Sequence, residues 1–293
     1  MRVLVLGGTG TIGAPVVREL IRGGHEVIAL ARSERAAAKL VQMGARPIEG
    51  DLSTPERWLR LLPPLHAVVQ TAAAFSADDE AIERRLLQTL LPFLSAASGS
   101  ARFVYTGGCW LFGPNGESVT TEETPFAPLP AFAWVVPHSR LVLEAPGIKP
   151  IIIHPAMVYE PCGGVFSRFH ADALERDAVR VVGSEQVRWP LVHSHDLAVL
   201  YRLALERSAP REEYIGSAVD AVPVGRIARA FARRFGTRSA NPEIITEDEI
   251  AAELGEWARG YGLDQQQSGA KARRALGWEP RHLNPEREVA SSS

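Results

Sequence analysis

Three features of the 293-residue sequence predict an α/β fold built on a doubly wound parallel sheet. Short apolar runs of strand length alternate with segments of helical period through the first half of the chain, the order expected of a parallel sheet covered on both faces. The first run, RVLVL, breaks on glycine and passes at once into a helix. After His154 the alternation loosens into Pro- and Gly-broken segments, which predicts a smaller lobe beyond the sheet.

Arg2–Leu6 has the length of a buried strand and stops at Gly7. Over Gly13–Arg22 the apolar positions Val16, Val17, Leu20 and Ile21 recur at helical spacing, and Gly23 and Gly24 end that helix. Glu26–Ala31 is again strand-like, and Ser33 can cap the helix ERAAAKLVQMG, which runs out at Gly44. Residues 45–49, 67–71, 103–106 and 150–154 read as further strands, separated by helices over 55–62, 78–98 and 139–144. Beyond them PAMVYEPCGGVF reads as a loop leaving the sheet. LVHSHDLAVLYRLALE reads as a strand followed by a helix that starts near Asp196. VPVGRIARAFARRFG is a helix ending at Gly236, and IITEDEIAAELGEWARG a capped helix.

Composition narrows the function. Hydrophobic residues make up 46% and charged residues 23% of the chain, as in ordinary soluble globular proteins. A formal charge of -2 argues against nucleic acid as a partner, which would call for a basic excess. Two cysteines, Cys109 and Cys162, are too few for a disulfide framework and point to a reducing compartment. Met1 leads directly into the first strand, and no apolar stretch reaches the ~20 residues that span a bilayer. A cytoplasmic protein with a small-molecule substrate and no membrane partner is expected.

The stretch LVLGGTGTIG places Gly7, Gly10 and Gly13 at GxxGxxG spacing between a strand and a helix, with Thr9, Thr11 and Ile12 filling the loop. One glycine permits the tight turn, one lets backbone approach a pyrophosphate, and one lets helix and strand pack closely. This is the pattern of a Rossmann-type dinucleotide site. It assigns residues 1–153 plus about 187–212 to a dinucleotide-binding domain, and about 154–186 plus 213–293 to a smaller C-terminal substrate lobe. A ribose-binding acid belongs ~20 residues after the glycine loop. The second strand instead ends in Ala31, Arg32 and Ser33. A guanidinium and a hydroxyl suit a 2′-phosphate that an acid would repel, so NADP(H) is favoured over NAD(H). The other reading of Arg32 is a solvated charge at a helix entry.

These segments resemble the short-chain dehydrogenase/reductase superfamily in its extended, epimerase/dehydratase-like branch, and others follow in the family's order. GDLS at 50–53 resembles the motif whose Asp contacts adenine, here Asp51 with Leu52 beside it. VVQTAAAF resembles the strand end that packs against the cofactor, through Thr71, Ala72 and Ala73. FVYTGGCWLFG resembles the strand and loop that carry a catalytic Ser or Thr. IIIHPAMVYEP resembles the stretch before the nicotinamide-side loop, with Pro155 kept and His154 where Arg is usual. LVHSHDLA resembles the later helix entry, and LGWEP the C-terminal signature. The resemblance implies an oxidoreductase or epimerase/isomerase acting on a small carbonyl or hydroxyl substrate, and it is compatible with a homodimer.

The resemblance breaks at the catalytic residues. The superfamily relies on a Ser or Thr together with a Tyr and a Lys spaced as YxxxK, the phenol shuttling a proton to a carbonyl oxygen. The SxLxxE pattern at 139–144 sets the register and puts Val136 at the Tyr position, Arg140 at the Lys position and Gly108 at the Ser/Thr position. No Tyr stands between Tyr105 and Tyr159, and Lys149 is the one lysine between them. Val136 cannot exchange a proton, whereas Arg140 can still bind the nicotinamide ribose.

The candidate replacements are His138, Thr106 and Tyr159. An imidazole is suited to acid-base work, but His138 sits about 200° round the helix from the Tyr position. Tyr159 lies past Pro155 in the loop that should border the nicotinamide. Gly108, Cys109, Trp110 and Trp134 are the expected substrate-pocket residues, and the aromatics here either wall a ring-bearing substrate or fill space. His193 and His195 beside Asp196 tempt a metal reading, yet Asp196 reads as a helix N-cap and no third ligand stands at a diagnostic spacing. No metal is therefore expected. An enzyme and a non-catalytic dinucleotide sensor or assembly protein both remain, and the retained cation and aromatic lining favour the enzyme.

Overall fold

The computed structural model describes residues 1–96 and 100–291. The alternating half folds as β1 (Arg2–Leu6), α1 (Gly13–Arg22), β2 (Glu26–Ala31), α2 (Glu34–Gln42), β3 (Arg46–Glu49), α3 (Pro55–Leu59), β4 (Ala67–Gln70), α4 (Asp79–Ala96), β5 (Arg102–Thr106), α5 (Val135–Glu144) and β6 (Lys149–Pro155). There follow β7 (Met157–Glu160), β8 (Gly163–Gly164), α6 (Ser167–Glu175), β9 (Arg180–Val182), β10 (Arg188–His193), α7 (Ser194–Arg207) and β11 (Glu212–Gly216). The chain closes with β12 (Val219–Pro223), α8 (Val224–Phe235), β13 (Glu243–Ile245), α9 (Glu247–Leu254), α10 (Ala270–Leu276) and α11 (Pro285–Ser291).

Seven parallel strands form the main sheet in the order β11-β6-β5-β4-β1-β2-β3. Its period of two sorts side chains onto two cores. Val3 and Val5 join Val16, Leu20, Leu200 and Tyr201 beneath α1 and α7. Leu4 and Leu6 join Trp58, Leu86, Leu87 and Leu90 under α3 and α4. Because both faces are covered, β1 reads as an unbroken apolar run. β1 pairs with β2 on one side and β4 on the other. The winding reverses there, and that opens a crevice at the strands' carboxyl ends.

A second sheet, β12-β10-β7-β8, and the pair β13-β9 build the other core with α6 and α8. Two of its strands lie in PAMVYEPCGGVF, which reads as a loop from sequence. Pro and Gly outweigh the short MVYE run in that reading, but β7 pairs with β10 and turns back through Pro161 and Cys162 to β8, where Gly164 has φ 58. Residues 187–212 are also divided. β10 joins the second sheet, α7 covers the main sheet, and the seventh main-sheet strand is β11.

Several helix boundaries differ from the sequence reading. α3 stops at Leu59, and α5 starts at Val135 rather than 139, with Pro137 in the first turn where its missing N–H leaves no bond unmade. The predicted tail of α4 at residues 97–98 lies outside the described residues. α7 starts at Ser194, capped by His193, whose Nδ1 accepts the His195 N–H at 3.2 Å.

Asp196 is therefore not the cap. Its Oδ2 accepts the backbone N–H groups of Arg281 (3.0 Å) and His282 (2.8 Å), and its carbonyl accepts the Trp278 indole N–H. Asp196 fastens the C-terminal segment to α7. Asp196→Ala leaves those two amides unpaired, at about 1–3 kcal/mol each where they stay buried. Faster amide exchange at Arg281 and His282 with a lowered melting midpoint is the expected result, and unchanged exchange would contradict it. Ser33 starts α2 and Gly236 ends α8 as the sequence predicts, and the capped helix expected in IITEDEIAAELGEWARG starts at a Thr246–Glu249 capping box but stops at Leu254. Among the described residues no helix is long and apolar enough to cross a membrane.

Candidate functional site

A cleft of about 580 Å³ opens at the carboxyl ends of β1 to β4. Gly7, Thr9 and Gly10 line it after β1, Arg32 and Ser33 after β2, Asp51 and Leu52 after β3, and Thr71, Ala72 and Ala73 after β4. Trp134 closes one side. Residues from four separate loops, each picked out in the sequence, thus share one wall.

The glycine turn has no spare room. Gly7 has φ 83, and a Cβ on it would lie 2.6 Å from the Ala72 nitrogen. A Cβ on Gly13 would fall on the Gly7 carbonyl oxygen and 2.8 Å from Thr71 Oγ1. Thr71 is itself fixed, because its hydroxyl donates to the Leu6 carbonyl at 2.8 Å. No side chain caps α1 and no acid occupies its first turn. That leaves the positive end of a ten-residue helix facing the loop. Thr11 is exposed, Ile12 packs against the core and Gly13 is buried; they complete the turn without lining the cleft.

Charge is distributed unevenly along the cleft. Arg35 and Lys39, one turn apart on α2, join Arg32 and Ser33 at the β2 end. Ser33 Oγ accepts the Ala36 N–H at 3.2 Å and so fixes the start of that helix. Across from them, the Ser53 hydroxyl (2.6 Å) and amide (2.8 Å) donate to Asp51 Oδ1 and hold its carboxyl below the usual range, with Arg32 adding to the effect.

Glu83 of α4 also lines the cleft. It is buried, and burial pushes its carboxyl up to about 7. Its Oε2 accepts from Gln70 Nε2 at 2.7 Å, the Tyr105 phenol lies beside it, and Gln70 Oε1 accepts the Ala72 N–H at 3.1 Å. A buried carboxyl is thereby tied to the turn after β4.

The remaining expected residues go to different surroundings. Thr106 donates its hydroxyl to the Gln70 carbonyl and meets the Tyr201 phenol at 2.6 Å. His138 is buried edge-on to Trp134 at 5.3 Å, and Glu80 and Arg84 of α4 are the charges it feels. Burial lowers its pKa. Tyr159 stacks on Phe166 at 4.7 Å in the second core and donates to Glu288 at 3.2 Å, its phenol raised well above the ordinary range by burial. Arg140 is exposed on α5, and Pro155 is buried where β6 pairs with β11. None of these five lines the cleft, and the structure does not gather His138, Thr106 and Tyr159 into one site.

Gly108, Cys109 and Trp110 lie beyond the cleft wall, leaving Trp134 as the one expected pocket residue on it. Burial pushes the Cys109 thiol up to about 12, so it is no nucleophile at neutral pH. Trp110 belongs to an aromatic group with Phe132 (5.5 Å), Tyr261 (5.7 Å) and Trp257 (6.1 Å). Phe75, from the loop after β4, rests on Trp257 at 5.0 Å. Trp110 thus packs against the second core, whereas Phe112 is buried in the core of the main sheet.

Sequence reasoning missed Glu83, Arg35 and Lys39. Glu83 is in phase with Leu86, Leu87 and Leu90 on the buried face of α4, a signal its charge concealed. Arg35 and Lys39 read as ordinary solvated charges until the fold brings them to the cleft wall.

The family model described as NAD dependent epimerase/dehydratase family matches residues 3–216. The chain belongs to that family. It is similar over its whole length to an uncharacterized protein of Schizosaccharomyces pombe, at 28% identity, covering 100% of this chain and 99% of the relative. Over 107 residues it is 37% identical to the photosystem II assembly factor Ycf39 of Synechocystis, covering 36% of this chain and 33% of that protein. A dTDP-glucose 4,6-dehydratase double mutant, DesIV of Streptomyces venezuelae solved with NAD and DAU bound, shares the fold. Its TM-score is 0.83 at 21% identity, covering 99% of this chain and 95% of that one. Membership of this family accords with the resemblance carried by the glycine loop, and the seven-stranded sheet is the doubly wound α/β fold that the alternation predicts.

Proposed function

We propose that the chain binds NADP(H) in the β1–β4 cleft and acts as an oxidoreductase or epimerase/isomerase on a small carbonyl or hydroxyl substrate. The cationic rim carries this reading: Arg32, Ser33, Arg35 and Lys39 stand together where a ribose-binding acid would otherwise sit. The crowding at Gly7 and Gly13 supports it, since that turn is shaped for close approach of a pyrophosphate to backbone. Adenine would lie beside Asp51 and Leu52, the phosphates on the start of α1 and the loop after β4. Held by these residues, the nicotinamide would be the group that supplies or accepts a hydride. The chain's part is to hold the ring and the substrate within reach of each other and to exclude water.

Val136 and Arg140 stand where the family resemblance puts Tyr and Lys, and neither can hand over a proton. Of the cleft's lining groups, Glu83 is the one brought near neutrality, which suits proton exchange at that wall. Replacing Arg32 and Arg35 together by Ala should weaken NADPH binding about tenfold or more, from lost charge-assisted bonds, and leave NADH binding nearly unchanged. Equal loss for both cofactors in paired titrations would remove the 2′-phosphate assignment.

A second reading is a non-catalytic dinucleotide-responsive assembly protein. Val136 and Arg140 favour it, as does the similarity to Ycf39. A turnover screen of aldehydes, ketones and enones with NADPH separates the two. Cofactor oxidation on any of them supports the enzyme, and binding without turnover on all of them supports the assembly protein.

A further inference from the structure

Three imidazoles meet at a place far from the glycine loop in the chain. His193 ends β10, and His195 follows in the first turn of α7. His282 arrives from the C-terminal segment, delivered by the bonds from the Arg281 and His282 amides to Asp196. No spacing rule links residue 282 to the VHSHD motif, so the sequence hides this third member. The rings of His193 and His282 stack with centroids 3.9 Å apart, and His195 stands across them at 5.1 and 6.2 Å. One ring nitrogen from each lies within 4.8 Å of the other two.

Carboxylates flank the group on both sides. Asp196 Oδ2 is 3.1 Å from His282 Nδ1, and Glu288 Oε2 is 3.8 Å from His193 Nε2. Tyr159 donates to the other oxygen of Glu288 and orients it. His195 and His282 also line a groove of about 580 Å³ between α1 and α7, which gives an ion a way in. Five arginines line that groove too, of which Arg22 and Arg202 are paired with Glu19 and Arg207 donates to the Leu276 carbonyl.

We propose that His193, His195 and His282 form a site for a divalent transition-metal ion of the Zn²⁺ class, separate from the dinucleotide cleft, that clamps the C-terminal segment onto the start of α7. Three imidazoles are a donor set for such an ion, and one carboxylate or water completes four-coordination. Asp196 Oδ2 stands 3.1 Å from Nδ1 of His282 without making a hydrogen bond to it, so its negative charge alone favours a proton on Nδ1 and a free Nε2 lone pair. The 3.8 Å from His193 Nε2 to Glu288 Oε2 is too long for a hydrogen bond. It is near the separation of two ligands held at ~2.0–2.2 Å from one ion. Ligation through His193 Nε2 moves that ring's proton to Nδ1 and gives up the 3.2 Å cap bond to the His195 N–H. The site therefore binds less tightly than a preformed structural centre, and its occupation locks residues 278–291 rather than serving catalysis.

The test is titration of the metal-free full-length protein with Zn²⁺ alone against a chromophoric chelator, with melting followed in parallel. The expected result is one equivalent bound, a raised melting midpoint, and loss of both in His282→Ala and in His195→Ala. His195 is exposed, so His195→Ala leaves the packing intact even if His282→Ala disturbs the segment. His170→Ala, at a histidine on α6 outside the cluster, should bind as the unmodified chain does. Absence of stoichiometric binding to the unmodified chain, or binding that survives in His195→Ala, overturns the proposal.

Discussion

Gly13→Ala abolishes dinucleotide binding and lowers fold stability by about 3 kcal/mol, the upper end of overpacking costs. The new methyl would occupy the space of the Gly7 carbonyl, and that carbonyl has nowhere to retreat. Behind it the backbone of Ala72 already crowds Gly7, and Thr71 is pinned to the Leu6 carbonyl. Gly10→Ala provides the contrast. Its Cβ would meet nothing nearer than the Gly7 oxygen at 3.5 Å, yet Gly10 lines the cleft. Gly10→Ala should keep its urea midpoint and still lose cofactor binding. If both variants bind NADPH like the unmodified chain, the loop is not a phosphate cradle.

Glu83→Gln makes the protein more stable above neutrality and removes a pH dependence. Burial raises this carboxyl from an ordinary value of 4.5 to about 7 in the folded chain. Between those values the folded state keeps a proton that the unfolded chain has released. The contribution is fully present below about pH 4.5 and is lost as pH rises toward 7, by roughly 3 kcal/mol in all. Glutamine still offers Gln70 an acceptor but carries no charge. Urea midpoints at several pH values from 5 to 8 should fall for the unmodified chain and stay level for the variant. Parallel slopes for the two proteins would show that Glu83 ionises normally.

Local chemistry explains what could be read in advance. β1, β2 and β5 are apolar runs because both faces of the sheet are covered, and the glycine turn announces itself because Gly7 and Gly13 leave no room for a Cβ. Ser33 and the Thr246–Glu249 box are caps whose partners lie within three residues. Long-range pairing was less legible. β7 and β8 are too short and too Gly- and Pro-bounded to stand out without β10 beside them. The local SxLxxE pattern sets only an expected register for Val136 and Arg140, and it does not set the direction of a side chain. Thr106 turns to Tyr201, His138 to α4 and Tyr159 to the second core, each drawn by partners remote in sequence. His282 reaches His193 only because Asp196 holds the returning chain.

The most direct test of the central assignment is a paired fluorescence titration of the unmodified chain with NADPH and NADH under the same salt and pH. The cationic rim at Arg32, Arg35 and Lys39 predicts tighter NADPH binding by about tenfold or more, equivalent to about 1.4 kcal/mol. NADH binding as tightly as NADPH, or more tightly, would contradict it.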